Sequence, residues 1–337
     1  MMPSLLIYGA SGYTGRLASL HAKRLGLDFI IAGHTNGTHT EAFALQLNVA
    51  FRLFDVTNPK GIDAALGGAA VLLNCAGPFM NTAKPLMSAC IRNGVHYLDI
   101  SAELNSYQLA EDNDQIAKEA NVMLLPGCGG SVAMLGCLVG KVTEKVKTPI
   151  AIDVALSVAG SMSRGSIISA SGSMSTEILE RRNNEVAKRE DVGMINLDFG
   201  NGKGSVANYP VTLPDIITIW KATGVRNIRT YVHLDGDAFP ASEQSSIIRS
   251  DGPTEKEREA SPYHAAVAVT AEDGTTTHAV LHTVNGYTFT GLASAEAAGK
   301  VLAGVAKPGF QTPALLFGND FIQTIGKSEI MILQDSY

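Results

Sequence analysis

A glycine-rich turn that directly follows a short apolar run is the feature of this sequence that most constrains its fold. Residues 5–8 lead into Gly9-x-x-Gly12-x-x-Gly15, and a helical pattern follows from residue 16 to residue 25. This order predicts a strand, a tight turn and a helix. In such a unit the first glycine permits the turn, the second lets the backbone approach a pyrophosphate, and the third lets the helix pack closely on the strand. The helix N-terminus offers N–H groups to the anion. The segment therefore predicts a dinucleotide site, to which Ser11, Tyr13 and Thr14 also contribute; a plain structural turn is the alternative.

Composition narrows the class of protein. A chain of 337 residues with 45% hydrophobic and 17% charged residues is compact and suggests about two domains. The net charge of -6 and the absence of a basic run argue against a nucleic-acid partner. No apolar run reaches the roughly 18 residues that a membrane span needs. The first strand begins near Ser4, which leaves no room for a targeting segment, so we expect a cytoplasmic protein. The four cysteines lack metal-ligand spacing, and no metal site is expected.

Short apolar runs alternate with helical patterns through the first 125 residues. Each run is almost continuously apolar, as a parallel sheet covered on both faces requires. The alternation predicts a doubly wound α/β fold, with strands after the first at residues 29–33, 48–55, 70–74, 96–100 and 122–125. A polar-faced helix is expected over residues 104–120.

The pattern changes after Pro126. Helices are predicted at residues 130–146, 175–189 and 294–305, and strands at residues 150–158, 226–234, 264–271 and 276–284. Residues 252–259 are expected to form a surface loop. The second half is therefore an α+β domain built on a mostly antiparallel sheet. We divide the chain into a dinucleotide-binding domain (1–130), a substrate and dimerisation domain (131–305) and a C-terminal segment that returns to the first domain (306–337).

Three motifs resemble those of the saccharopine dehydrogenase-like oxidoreductases. They are Gly9-Ala10-Ser11-Gly12-Tyr13-Thr14-Gly15-Arg16, Asn74-Cys75-Ala76-Gly77-Pro78-Phe79 and His96-Tyr97-Leu98-Asp99-Ile100-Ser101-Ala102-Glu103. The resemblance implies a Rossmann domain that binds a nicotinamide cofactor, followed by a mixed α/β domain that carries substrate contacts and often a dimer interface. Many relatives have glycine-phenylalanine-aspartate-serine-valine-proline after the sixth strand. This chain has Gly127-Cys128-Gly129-Gly130-Ser131-Val132 there, without the acid.

The loop after the second strand bears on cofactor choice. NAD-binding chains usually place an acid there, about 20 residues beyond the glycines, to bind the ribose 2′-hydroxyl. Here His34 and Thr35 follow the strand, and no acid occurs before Glu41. This favours NADP(H) over NAD(H), with a merely polar loop as the alternative. Asp55, after the third strand, is a candidate for the adenine amino group or a helix cap.

Polar and small residues at the ends of the fourth and fifth strands are candidates for the nicotinamide side. Small residues after the fourth strand would let the nicotinamide ribose lie against backbone, and a structural turn is the alternative; the candidates are Asn74, Ala76, Gly77, Pro78 and Phe79. Tyr97, Asp99, Ser101 and Glu103 follow at period two, which places them on one side of the fifth strand. Of these, Ser101 is a cofactor candidate.

Tyr97 or Asp99 is the preferred proton donor, and a turn or helix-start role for the acids is the alternative. Cys128 is a further catalytic candidate, although buried cysteine is usually a small hydrophobe. In the second domain, the best candidates for an acid that donates a proton are His233 and His264.

These features predict an NADP(H)-dependent oxidoreductase that transfers hydride to a C=N or C=C bond of a small metabolite. The chain is expected to form a homodimer, because two-fold symmetry is common and a buried interface suits its mean hydropathy of +0.12. An apolar substrate groove is the other explanation of this hydropathy. The alternative is a non-catalytic protein that senses NADP(H) or supports another oxidoreductase.

Overall fold

The computed structural model describes residues 5–173, 177–235 and 252–333. They form two compact units. Of the described residues, the first unit comprises 5–130, 165–172 and 290–311, and the second comprises 131–164, 173, 177–235, 252–289 and 312–333. In the described ranges, no helix is long and apolar enough to cross a lipid bilayer.

The first unit is built on a seven-stranded sheet in which every neighbouring pair is parallel. Strands are numbered along the whole chain, and their order in this sheet is β15-β6-β5-β4-β1-β2-β3. Every residue of β1, β2 and β4 is buried, in agreement with their continuous apolar sequences. The bounds are β1 Leu5–Tyr8, β2 Phe29–Gly33, β3 Phe51–Leu53, β4 Val71–Asn74, β5 His96–Asp99, β6 Met123–Leu125 and β15 Gly309–Phe310.

Helices connect these strands, which confirms the predicted doubly wound α/β class. They are α1 Tyr13–Arg24, α2 Thr38–Leu47, α3 Pro59–Leu66, α4 Phe79–Asn93, α5 Leu104–Asp112 and α6 Asp114–Glu119. The prediction of a single helix over residues 104–120 is wrong, because the helix is interrupted at Asn113. The Asn113 side chain donates to the carbonyl of Leu109 at 2.7 Å, a local bond that competes with helix continuation.

The second unit is built on a nine-stranded sheet. Its main path runs β10-β11-β12-β7-β13-β14-β16, with β8 paired to β12 and β9 paired to β8. Among the described strands of this second sheet, only the β7–β12 pair is parallel, so the predicted mostly antiparallel sheet is confirmed. The bounds are β7 Pro149–Ala159, β8 Leu179–Arg182, β9 Glu185–Lys188, β10 Ile195–Asp198, β11 Ser205–Pro210, β12 Asn227–Asp235, β13 Tyr263–Ala271, β14 Thr276–Thr283 and β16 Glu329–Leu333.

Two of the remaining helices differ from the sequence prediction. The helix predicted to begin at residue 294 begins at Gly286, and the expected surface loop at 252–259 contains a short helix with a Thr254–Glu257 capping box. The helices are α7 Gly130–Thr143, α8 Arg164–Ser173, α9 Asp215–Thr223, α10 Glu255–Glu259, α11 Gly286–Leu302 and α12 Pro313–Phe317, with a 3₁₀-helix at Phe321–Thr324.

The helix predicted over residues 175–189 is wrong. Residues 175 and 176 lie outside the described residues, and the rest of this range contains the antiparallel pair β8–β9. Asn183 and Asn184, which join the two strands, both have positive φ angles of 51° and 72°. Asparagine tolerates this left-handed conformation, which is the one a tight hairpin turn requires. The charged residues that suggested a helix face lie on a hairpin instead.

Candidate active site

The glycine turn after β1 gives its three glycines different surroundings. Gly9 has φ +75°, and a Cβ added there would lie 2.8 Å from the Ala76 backbone nitrogen. A Cβ at Gly15 would lie 2.2 Å from the Gly9 carbonyl oxygen. Gly12 differs, because it has φ -70° and its added Cβ would meet only the Gly9 oxygen, at 3.2 Å. Gly9 and Gly15 are thus required by the fold, whereas Gly12 leaves space at the start of α1.

That space has the character of an anion site. Helix α1 begins after Gly12 with no acidic residue in its first turn, so no carboxylate there compensates the positive end of the helix dipole. Ser11 lies beside it, with its hydroxyl oxygen 3.1 Å from that of Thr40. Tyr13 and Thr14 are half-buried in the first turn. A side chain at position 12 would fill this opening, and a helix N-terminus is the kind of position at which proteins bind anions.

A groove of about 510 Å³ opens at the ends of β2 and β3. His34 directly follows β2, and its Nε2 atom lies 3.3 Å from Oδ2 of Asp55, which follows β3. The exposed Thr35 lines the same groove as Asp55. Hydrogen bonds from the backbone and side chain of Thr57 hold the pKa of Asp55 below its usual value, with His34 contributing less. The second predicted cofactor segment is therefore assembled from two loops.

A buried hydrogen-bond network organises the loop after β4. The Asn74 side chain accepts from the Ala76 N–H at 3.0 Å and donates to Thr82 Oγ1 at 3.1 Å. The Thr82 hydroxyl in turn donates to the Ala76 carbonyl at 2.7 Å. These bonds fix the backbone of Ala76, while Gly77 is exposed and Pro78 half-buried at the edge of the sheet.

The same network reaches β5 and the loop after β6. Asn74 Nδ2 donates to the Tyr97 hydroxyl at 3.2 Å, and that hydroxyl donates to Asp99 Oδ2 at 2.9 Å. Asp99 Oδ1 accepts from the N–H groups of Ser101 at 2.9 Å and Gly127 at 2.8 Å. The structure thus brings together the three strand ends that the sequence predicts to converge.

Tyr97 and Asp99 are fully buried within this network. Burial raises the pKa of Asp99 to about 6, against the effect of the hydrogen bonds from Gly127, Ser101 and Tyr97. Burial, with a smaller effect of Asp99, raises the pKa of Tyr97 well above its usual value. At neutral pH the tyrosine is neutral, and both groups have hydrogen-bond partners inside the protein. Their predicted role as proton donors stays a prediction.

Glu103 and Ser101 anchor the segment that follows β5. The Glu103 carboxylate accepts from the N–H groups of Phe79 at 2.9 Å and Met80 at 2.8 Å. It therefore neutralises the start of α4, where a negative charge is favourable. Ser101 is buried, and its hydroxyl accepts from the Glu103 N–H at 3.0 Å. Phe79 is buried at the first position of α4.

Cys75 directly follows β4, and Cys128 lies in the loop after β6. Burial raises the pKa of both thiols, and the charge of Asp99 raises it further, so neither is a thiolate at neutral pH. The backbone N–H of Cys128 donates to the Asp99 carbonyl at 2.8 Å. In the part of the chain that the structure describes, no group of three or more His, Cys, Asp or Glu residues is able to hold a metal.

The histidines predicted as acids in the second unit have a different environment. His233 Nδ1 lies 2.9 Å from the Ala207 carbonyl, and His282 Nε2 lies 2.7 Å from the Phe199 carbonyl. The rings of His264 and His282 make an edge contact with centroids 4.6 Å apart. Burial lowers the pKa of His264, which favours its neutral form.

Sequence reasoning missed two residues of the first unit. Thr82 holds the loop after β4, and Arg52 lines the groove at the end of β3 while donating to the carbonyls of Ala65 and Gly67. A threonine within a helix and an arginine within a strand carry no local signal of these contacts. Both contact residues outside their own helix or strand.

Known proteins match the first unit by sequence. The family model of the saccharopine dehydrogenase NADP binding domain matches residues 5–125. The resemblance that the motifs indicate is thereby confirmed.

Relatives of this domain are oxidoreductases. The saccharopine dehydrogenase-like oxidoreductase of Homo sapiens is 30% identical over 125 residues, which cover 32% of this chain and 29% of that protein. The trans-acting enoyl reductase of Mycobacterium leprae is 28% identical over 106 residues, or 30% of this chain and 25% of that protein. Matches to the saccharopine dehydrogenase-like proteins thus span less than a third of each curated relative's own length.

The fold extends beyond this domain. Apo saccharopine dehydrogenase (L-Glu forming) from Saccharomyces cerevisiae aligns with 98% of this chain and 100% of its own, with a TM-score of 0.64 and 11% identity. At this identity the likeness shows the fold alone. The likeness in fold therefore covers both units.

Proposed function

We propose that this chain is an NADP(H)-dependent oxidoreductase that transfers hydride to a C=N or C=C bond of a small metabolite. The observation that carries the proposal is the opening at Gly12, which lies at the start of α1 within a matched NADP-binding domain. The saccharopine dehydrogenase-like oxidoreductases and the trans-acting enoyl reductase to which this chain is similar support the reaction class. When bound, the nicotinamide supplies or accepts the hydride.

Residues of the first unit would hold and orient the cofactor. The backbone around Gly12 and the start of α1 would bind the pyrophosphate, and the groove beside Thr35 and Asp55 would take the adenosine end. The exposed edge at Ala76, Gly77 and Pro78 would face the nicotinamide ribose. The bonds from Asn74 and Thr82 keep this edge in one conformation.

Tyr97 and Asp99 would support that edge from below. Asp99 joins the end of β5 to the backbone of Gly127, and Tyr97 joins Asp99 to Asn74. A proton relay through the pair requires a path from the buried Tyr97 hydroxyl to substrate. Cys128 would pack in the same layer as a protonated thiol.

A second candidate function follows from that burial. Since Tyr97 and Asp99 are both inside the protein, a nucleotide-sensing protein without turnover would use the same cofactor site. Oxidation of NADPH by candidate imines or activated alkenes would distinguish the enzyme from the sensor.

Assembly and compartment remain predictions of this proposal. Large apolar side chains are exposed around β10 and β11 of the second unit, namely Val192, Met194 and Tyr209. They support the predicted homodimer, which sedimentation at micromolar concentration would test. The cytoplasmic location stays a prediction. One relative, from Arabidopsis thaliana, is named a probable mitochondrial saccharopine dehydrogenase-like oxidoreductase.

Isothermal titration with NADPH and NADH tests the proposed cofactor. NADPH should bind more tightly, and equal or reversed affinity would overturn the cofactor assignment. A Gly12→Val chain should fold, because its φ of -70° suits any residue, yet lose NADPH affinity by about 100-fold or more as the side chain fills the pyrophosphate space.

Gly67→Val is the matched control. Gly67 also has a negative φ, and its added Cβ would meet only the Ala64 oxygen, at 3.3 Å. This variant should bind NADPH like the wild type. Unchanged NADPH affinity in folded Gly12→Val would remove the glycine turn from the proposed site.

A further inference from the structure

The loops after β2 and β3 place an imidazole and a carboxylate at one point. His34 directly follows β2, and in dinucleotide-binding domains the end of this strand is where the ribose 2′ group is recognised. Nε2 of His34 lies 3.3 Å from Oδ2 of Asp55. The acid that is absent from the loop after β2 is therefore supplied by the loop after β3.

Hydrogen bonding determines which ring nitrogen of His34 carries the proton. The backbone N–H of Asn36 donates to His34 Nδ1 at 3.3 Å, so Nδ1 is an acceptor in the neutral ring. The proton then resides on Nε2, which donates to Asp55. This N–H group is the donor that the neutral ring of His34 can offer to a ligand. It already donates to the Asp55 carboxylate.

Asp55 is held in place from its other side. Oδ1 of Asp55 accepts from the N–H and the hydroxyl of Thr57, both at 2.8 Å. These bonds lower the pKa of Asp55, which is therefore a carboxylate at neutral pH. Oδ2 faces His34 and is the oxygen available to a ligand hydroxyl.

The pair is accessible from the adjacent groove. The His34 side chain is 54% exposed and the Asp55 side chain 36% exposed. Phe54, which stacks on Tyr8 with ring centroids 4.7 Å apart, forms part of the groove lining. Arg52 also lines the groove, and its guanidinium donates to the Ala65 and Gly67 carbonyls.

Resting on the proposed function, we propose that Asp55 sets the specificity of this site for the 2′ group of the cofactor. Its carboxylate accepts a hydrogen bond from a ribose 2′-hydroxyl and repels a 2′-phosphate. It also competes with the 2′-phosphate for the Nε2–H of His34. Asp55 therefore limits the preference for NADPH that the acid-free loop after β2 creates.

Titration of an Asp55→Asn chain with NADPH and NADH at one ionic strength tests this inference. Asparagine keeps an oxygen for the Thr57 N–H and removes the charge. The ratio of the NADH to the NADPH dissociation constant should rise about fivefold to tenfold over the wild type, the size expected for removal of one exposed like charge. Circular dichroism verifies the fold.

Asp63→Asn is the matched control. It removes the same charge from helix α3 of the same unit, where Asp63 Oδ1 lies 2.7 Å from Arg92 Nη2 and is not part of the groove lining. The affinity ratio of this variant should equal that of the wild type. An unchanged ratio in Asp55→Asn, or an equal rise in Asp63→Asn, overturns the inference.

His34→Ala gives an independent readout at an exposed position. It should weaken NADPH binding more than NADH binding, because Nε2–H is the donor for which a 2′-phosphate competes with Asp55; an equal loss for both cofactors contradicts that role. Wild-type protein that binds neither cofactor would instead refute the proposed function itself. Wild-type binding with an unaltered ratio in Asp55→Asn refutes only the role of Asp55.

Discussion

Two buried aspartates show how differently the two units of this protein treat an acid. Asp99 ends β5 in the first unit, and Asp215 begins α9 in the second; both are fully buried. Asp99 receives hydrogen bonds from Tyr97, Ser101 and Gly127. Neither side-chain oxygen of Asp215 has a hydrogen-bond partner among the described residues. The two carboxyl groups thus share burial and differ in their donors.

The pKa values reflect this difference. Burial raises the pKa of Asp99 to about 6, because three donors partly offset the loss of water. Burial raises the pKa of Asp215 to about 7, opposed only by its own backbone N–H. Thr218, one turn along α9, also has a buried hydroxyl without a partner in the described part of the chain. Asp99 therefore joins secondary-structure elements, whereas Asp215 is tolerated mainly as a neutral acid.

The largest expected effect comes from removing the joined acid. Asp99→Ala should lower the free energy of unfolding by about 3–5 kcal/mol, because it leaves two backbone N–H groups and the Tyr97 hydroxyl without acceptors. Urea unfolding followed by far-ultraviolet circular dichroism measures it. Asp99→Asn, which keeps an acceptor oxygen, should lose clearly less. Equal losses in the two variants would mean that the hydrogen bonds of Asp99 are unimportant.

The second expected effect is a change in pH dependence at Asp215. The neutral carboxyl stabilises the fold fully below pH 3.8, and this stabilisation is lost as pH rises through about 7. Asp215→Asn does not titrate. As the pH rises from 5 to 8, the free energy of unfolding of the variant should therefore increase by about 3 kcal/mol relative to that of the wild type.

Fluorescence of Trp220 is a suitable probe for this measurement. It is the single tryptophan of the chain and lies on α9 itself. Urea midpoints at pH 5 and pH 8 would be compared with those of Asp198→Asn, an exposed aspartate of β10 that should follow the wild type. Parallel pH profiles for wild type and Asp215→Asn would show that Asp215 is not the titrating group.

The smallest expected effect comes from removing the two hydrogen bonds of the Thr82 hydroxyl, which lies in the same network as Asp99. Thr82→Val keeps the shape of the side chain but removes the hydroxyl that bonds Ala76 and Asn74. The free energy of unfolding should fall by about 1–2 kcal/mol in urea titration. Thr82→Ser restores the hydroxyl and should recover most of this loss. No recovery in the serine variant would attribute the effect to packing of the methyl group.

The first unit could be predicted well from sequence because its signals are local. The apolar run before Gly9 and the runs that form β2, β4 and β5 are each four to five residues long and appear as strands at the expected places. The third strand, predicted over residues 48–55, is limited to Phe51–Leu53 and is partly exposed. The parallel pairing of the strands follows from their alternation with helices, since parallel strands need crossover connections. The second unit was predicted less well: the hairpin at β8–β9 carries charged residues that also suit a helix face. Its strands depend on partners such as β12, more than 40 residues away.

The sequence alone determined the elements whose reasons are steric or periodic: the glycine turn, the buried parallel strands, and the polar residues on one side of β5. Only the tertiary structure decided what those residues contact. It placed Asp55 beside His34, joined Tyr97 and Asp99 to Asn74 in one network, and left the side-chain oxygens of Asp215 without a hydrogen-bond partner among the described residues. The physical reason is that hydrogen bonds and charge pairs depend on distances across the fold, which spacing along the chain does not encode.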